Sequence, residues 1–133
     1  MELIAANHAP EEKLEQFLQH NENVERELLL EKGYVVTFKG TIEGCFVMDL
    51  VDADVYWLKQ LHVTKQAATS LPVLLETILA LAKEKQARQV FVHSHQPMVD
   101  VLLEALQFHP QKDNAFVQET PNQEGNWWTY HVS

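Results

Sequence analysis

Apolar residues recur along this chain at two spacings, and each switch between them marks a change of element. From Leu71 to Gln86, the residues Leu74, Leu75, Ile78, Leu81 and Ala82 return every three or four positions, the period of a buried helix face. The stretch PEEKLEQFLQHN, with Pro10 in its first turn, early acids and Leu14, Phe17 and Leu18 on one side, predicts another helix. VERELLLEKG predicts a third, ended by Gly33, and PMVDVLLEALQF a fourth, opened by Pro97. Elsewhere short β-branched and aromatic runs predict strands. They are ELIAA (2–6), then YVVTFK turning at Gly40-Thr41 into IEGCFVMDLV, which turns at Asp52-Ala53-Asp54 into VYWLKQLHV. QVFVHSH follows the long helix, and AFVQET and WWTYHV flank the turn-rich PNQEGN in the tail. The order is β-α-α-β-β-β-α-β-α-β-β. It predicts an α/β (α+β) chain whose central sheet of six to seven strands is mixed but mostly antiparallel, with about four helices. No linker-like or low-complexity stretch interrupts it, so residues 1–133 are expected to form one domain.

Composition narrows the function classes. The net charge of -9 argues against nucleic acid or an anionic membrane surface as partner, since both demand a basic face. It favours a cationic or protein partner, and an anionic ligand only where positive charge is locally concentrated. No apolar run approaches the roughly 20 residues needed to span a bilayer, and the first residues lack a signal pattern. A single cysteine, Cys45, precludes an internal disulfide and fits a cytoplasmic location.

The stretch from GTIEGCFVMDL through VYWLKQLHV to LPVLLETILALAKEKQARQVFVHSHQPMVDVLLEALQF, in this strand and helix order, resembles the GNAT family of N-acetyltransferases. The resemblance runs over essentially the whole chain. It implies an acetyl-CoA or CoA cofactor and transfer of an acyl group to an unidentified small-molecule or protein amine. By the same resemblance Leu61, His62 and Val63 on the fourth strand meet the pantetheine arm. The pyrophosphate loop, of pattern Q/R-x-x-G-x-G/A, falls on Gln66-Ala67-Ala68-Thr69-Ser70-Leu71. Gln66 keeps the first position, while Thr69 and Leu71 replace the two glycines. Glycine there would allow a positive φ and a close approach of backbone to phosphate. Thr69 is β-branched, Leu71 is bulky, Pro72 lacks an N–H, and Thr69 or Ser70 can cap the helix with a hydroxyl. The family's N-x-x-A-x-x-x-Y-x-x-x-G-F pattern, whose Tyr protonates the departing thiolate, falls on Gln96, Val99, Leu103 and Gln107. Leu103 stands at the Tyr position and reads as core. Two functions are therefore open: an acyl-CoA-dependent N-acyltransferase with altered loop and acid that binds CoA weakly, or a catalytically inactive ligand- or protein-binding module, with a homodimer among its forms.

Other residues carry candidate chemistry. His62, facing away from Leu61 and Val63 by strand alternation, is the candidate catalytic base. Glu43, His95 and Trp128 are candidate substrate contacts. His93 and His95 share a strand face, yet two histidines without a third ligand make no metal site. Of the adjacent Trp127 and Trp128, a two-faced strand puts one in the core and leaves one for a pocket or dimer surface. The acid-rich faces around Glu11, Glu12 and Glu15, and around Glu25, Glu27 and Glu31, read as solvated.

Overall fold

The two spacings become helices and strands close to where they start and stop. A computed structural model describes residues 1–111 and 125–132. Strands β1 (Glu2–Ala5), β2 (Gly33–Phe38), β3 (Thr41–Asp52), β4 (Val55–Val63), β5 (Gln89–Ser94), β6 (His109–Gln111) and β7 (Asn126–His131) form a seven-stranded sheet of order β1-β2-β3-β4-β5-β7-β6. The helices are α1 (Glu11–Gln19), α2 (Arg26–Lys32), α3 (Leu71–Glu84) and α4 (Pro97–Ala105). The mixed α/β architecture and its element order are those the spacing predicts. The strand expected at AFVQET lies outside the described residues, whereas β6, not expected, pairs antiparallel with β7. No helix among the described residues is long and apolar enough to cross a membrane.

By contacts the chain divides into two compact units, Met1–Met48 with Lys59–Leu71, and Asp49–Leu58 with Pro72–Ser133. In the first, Leu14 and Phe17 of α1, Leu29 of α2 and Val35, Ile42, Cys45 and Val47 of β2 and β3 form one buried cluster with Ala6. Each large side chain buried in this way contributes about 1.5–3 kcal/mol. An Arg26–Glu15 ion pair ties α2 to α1. Gly33 closes α2 and begins β2: its N–H donates to the Leu29 carbonyl, and it pairs across the sheet with Val47. A Cβ there would lie 2.6 Å from the Leu29 oxygen, so glycine is required by space and not by a positive φ. The β2–β3 turn falls on Lys39 (φ 52) and Gly40 (φ 81), one residue earlier than Gly40-Thr41. Two consecutive positive φ values are those of a two-residue type I′ hairpin, whose twist matches the strands.

In the second unit β5 lies between two partners. It pairs in parallel with β4 from Val55↔Gln89 to Leu58↔Val92, and antiparallel with β7 from Gln89↔His131 to Ser94↔Asn126. Leu74, Leu75, Ile78 and Ala82 are the buried face of α3, as their spacing predicts. Both α3 and α4 end on a glutamine in the left-handed region, Gln86 (φ 60) and Gln107 (φ 73). In each case the following amide turns back to a helix carbonyl, Ala87 to Ala82 at 2.9 Å and Phe108 to Leu103 at 2.9 Å.

Candidate functional site

Two breaks in strand regularity fall together in the first unit. The β2–β3 register passes from Val36↔Gly44 to Thr37↔Ile42, so Glu43 is the extra residue of a β-bulge. Bulges re-aim side chains and are common beside active sites. Glu43 is half-buried and bound twice to the residue after β4: its carbonyl accepts the Thr64 N–H at 2.9 Å, and its carboxylate accepts the Thr64 hydroxyl. It is therefore held at the end of β4 and is not a loose turn acid. Gly44 beside it permits close approach, since a Cβ would sit 2.8 Å from the His62 carbonyl oxygen.

The second break is Gln60, with φ 54 in the middle of β4. A non-glycine residue in this region is uncommon and costs about 1–3 kcal/mol unless its surroundings hold it. Gln60 is held: its side-chain oxygen accepts the Glu25 N–H at 3.1 Å, and its carbonyl accepts the Cys45 thiol at 3.7 Å. Burial pushes that thiol up to about 12. Gln60 lies two residues beyond Leu58, the last β4 residue paired with β5. The kink also breaks strict alternation, so Leu61, His62 and Val63 are all half-buried. The His62 ring meets Phe17 of α1 edge-on at 6.2 Å.

After β4, residues Lys65–Ser70 form a 3-10 turn that runs directly into α3. Thr64 leads into it with extended backbone and makes no side-chain cap, its hydroxyl being spent on Glu43. The Ala67 N–H donates to Thr64 at 3.1 Å, and the Leu71 N–H donates to Ala68. Backbone, and not a Thr69 or Ser70 hydroxyl, thus engages the Leu71 amide at the α3 start. Leu71 sits at φ -55 and ψ -42, ordinary helix, so Thr69 and Leu71 avoid the positive φ that glycine would have served. Gln66, Ala68 and Thr69 are exposed, Ser70 and Leu71 half-buried, and Ala67 buried.

The other candidates belong to the second unit. Trp128 is buried, and its indole N–H donates to Asp100 at 2.8 Å. Asp100, in the first turn of α4, also accepts from Asn126 at 3.2 Å, so its carboxylate joins α4 to β7. Trp127, the half-buried member of the pair, packs on Trp57 at 5.5 Å and on His93 at 5.0 Å. Burial lowers the His93 pKa, the neighbouring His95 lowers it further, and Asp100 opposes both. His95 is exposed and lies past the end of β5, because Ser94 turns the chain there through hydrogen bonds with Gln96. Leu103 is fully buried. Among the described residues no group of three or more His, Cys, Asp or Glu gathers to hold a metal.

One feature of the first unit was not singled out from the sequence. Lys13 and Phe17 of α1 and His20 at its C-cap, with Lys39 to Ile42 of the β2–β3 hairpin and Thr64, line a cavity of about 440 Å³. The signal was present: Lys13, Phe17 and His20 stand four and three residues apart on one helix face.

The sequence matches no family model and no curated protein. Its fold is nonetheless that of GNAT acetyltransferases. It superposes on an N-acetyltransferase from Campylobacter jejuni with a TM-score of 0.74 at 11% identity, over 99% of this chain and 98% of the other. A GNAT-family acetyltransferase from Staphylococcus aureus gives 0.71 at 16% identity over 99% of both chains. One from Elizabethkingia anophelis with acetyl-CoA bound gives 0.62 at 17% identity, over 81% of this chain and 84% of the other. Identities this low carry the architecture alone.

Proposed function

We propose that this chain is a divergent GNAT-type N-acyltransferase that holds acyl-CoA weakly and passes its acyl group to an amine. The Gln60 kink carries the reading. It lies just past the last β4 residue paired with β5 and is followed by three half-buried residues whose peptide groups suit an extended amide-bearing arm. Leu61, His62 and Val63 would receive the pantetheine of CoA, which supplies the acyl group as an activated thioester. Gln66 to Leu71 would meet its pyrophosphate, with fewer free amides than an open glycine loop offers. The half-buried Glu43 carboxylate attracts a cationic acceptor, and His62 takes the proton that the amine must lose before it attacks. Leu103 donates nothing to the departing sulfur. Acid catalysis is worth about 10²–10⁴-fold, so transfer is slow but not stopped.

Calorimetric titration with CoA and acetyl-CoA tests this. The expected dissociation constant is about 0.1–1 mM, or roughly 4–5.5 kcal/mol, and absence of binding at several times about 1 mM overturns the proposal. Thr69→Gly with Leu71→Gly should loosen the 3-10 turn, lower thermal stability by about 1–2 kcal/mol and tighten CoA binding. Unchanged affinity would show that the turn does not limit binding. His62→Ala should slow transfer by about 10²-fold with CoA affinity retained. The engaged Leu71 amide and buried Leu103 favour a second reading, a non-catalytic CoA-type ligand-binding module. Saturable CoA binding without transfer to a broad set of primary amines would decide for it.

A further inference from the structure

In a chain carrying nine more acidic than basic side chains, the cavity between α1 and the β2–β3 hairpin is an exception. Its described lining includes Lys13, Lys39 and His20 and no carboxylate. The floor is apolar, since Phe17 and Ile42 are both buried, while the lysines and His20 are exposed at the rim. Lys13 is positioned: its ammonium donates to the Gly40 carbonyl at 2.7 Å and keeps two further N–H donors. Lys39 takes the first place of the type I′ turn at φ 52, where asparagine, aspartate or glycine is the unstrained choice. The backbone therefore bears a cost to set a lysine at this rim. His20 donates from Nδ1 to the Gln16 carbonyl at 2.8 Å, which selects the Nδ1–H form and leaves Nε2 as the free acceptor of the neutral ring. A volume of about 440 Å³ is in the range of small-molecule sites, which pair apolar walls with a few placed polar groups.

We propose that this cavity binds a small organic anion, a carboxylate or phosphate carried on an apolar group. Lys13 and Lys39 pair with the charge, and Phe17 and Ile42 receive the apolar part. The site stands on its own residues and does not depend on acyl transfer.

Amide NMR titration of the full chain tests it with four probes: phenylacetate, phenyl phosphate, inorganic phosphate and neutral 2-phenylethanol. One or both phenyl anions should shift the amides of 16–21 and 39–42 saturably, with a dissociation constant of about 1 mM or tighter. The two arms tell carboxylate from phosphate. Lys39→Asn removes the charge while keeping a residue suited to the turn, and should weaken binding about tenfold with the circular dichroism spectrum unchanged. Equal binding of 2-phenylethanol would show an apolar pocket without charge recognition and overturn the proposal. Equal binding of inorganic phosphate, no saturable shift, or a Lys39→Asn variant that binds as tightly would overturn it too. CoA titrated in parallel reports at the amides of 61–71, so this reading and the acyl-transfer reading fail separately.

Discussion

Cys45 lies on β3 with no exposed surface, its thiol directed to the Gln60 carbonyl, and burial holds its pKa near 12 against an ordinary 9.0. The reactive species of cysteine is the thiolate, so neither accessibility nor ionisation favours attack in the folded chain. Iodoacetamide at neutral pH should leave Cys45 unmodified until the chain is unfolded by denaturant, as read by mass spectrometry. Appreciable labelling under native conditions would show that the β3–Gln60 contact opens. Single residues also mark where sequence reading ends. Leu103 is legible as core because its neighbours repeat at a helix period, and Cys45 because it opens the unbroken apolar run Cys45–Met48. Gln60 is not, because nothing in a glutamine announces a positive φ; Glu25 and Cys45, distant in sequence, hold it there.

Among the elements, the terminations of α3 and α4 offer an unused gain. Gln86 and Gln107 occupy the left-handed cap position that glycine fills without steric cost. Gln86→Gly and Gln107→Gly should each raise stability, by about 0.5–1 kcal/mol after the greater freedom of glycine in the unfolded chain is counted. Chemical denaturation midpoints check this, and a lowered midpoint would mean that the glutamine side chains make compensating contacts. The same caps show how far element boundaries were legible. The apolar period locates α3 to within two residues of its end, yet no glycine or asparagine marks the stop. β6 was not legible because its three residues, with Pro110 in the centre, lack a strand pattern; pairing with β7 makes them one. Glu43 could be placed near a turn, whereas its role as a bulge depends on the partner strand. The 3-10 course of Lys65–Ser70 was not legible: the residues suggest a loop ended by a Thr69 or Ser70 hydroxyl cap, whereas backbone hydrogen bonds from Ala67 to Thr64 and from Leu71 to Ala68 close it as a turn.

At the scale of the whole molecule, stability should respond to pH through His93. Burial is the main cause that lowers its pKa, with His95 adding and Asp100 opposing. As pH falls below the ordinary 6.5, the unfolded chain takes up a proton before the folded one does. This contribution is therefore complete above that value and is lost as pH drops through the folded value, giving stability that rises with pH across the window. His93→Gln should flatten the dependence of melting temperature between about pH 8 and pH 5, and an unaltered slope would assign it to other groups. The junction at Gly33 has a different kind of reach. With no connecting residue between α2 and β2, the phase of the helix and the facing of the strand are set by one count of residues. A one-residue insertion there would turn Val35 away from the cluster it shares with Leu29 to the opposite face of the sheet, and every later β2 side chain with it, or else force α2 to rotate Leu29 away. At this point the chain tolerates exchange of side chains far better than a change of length.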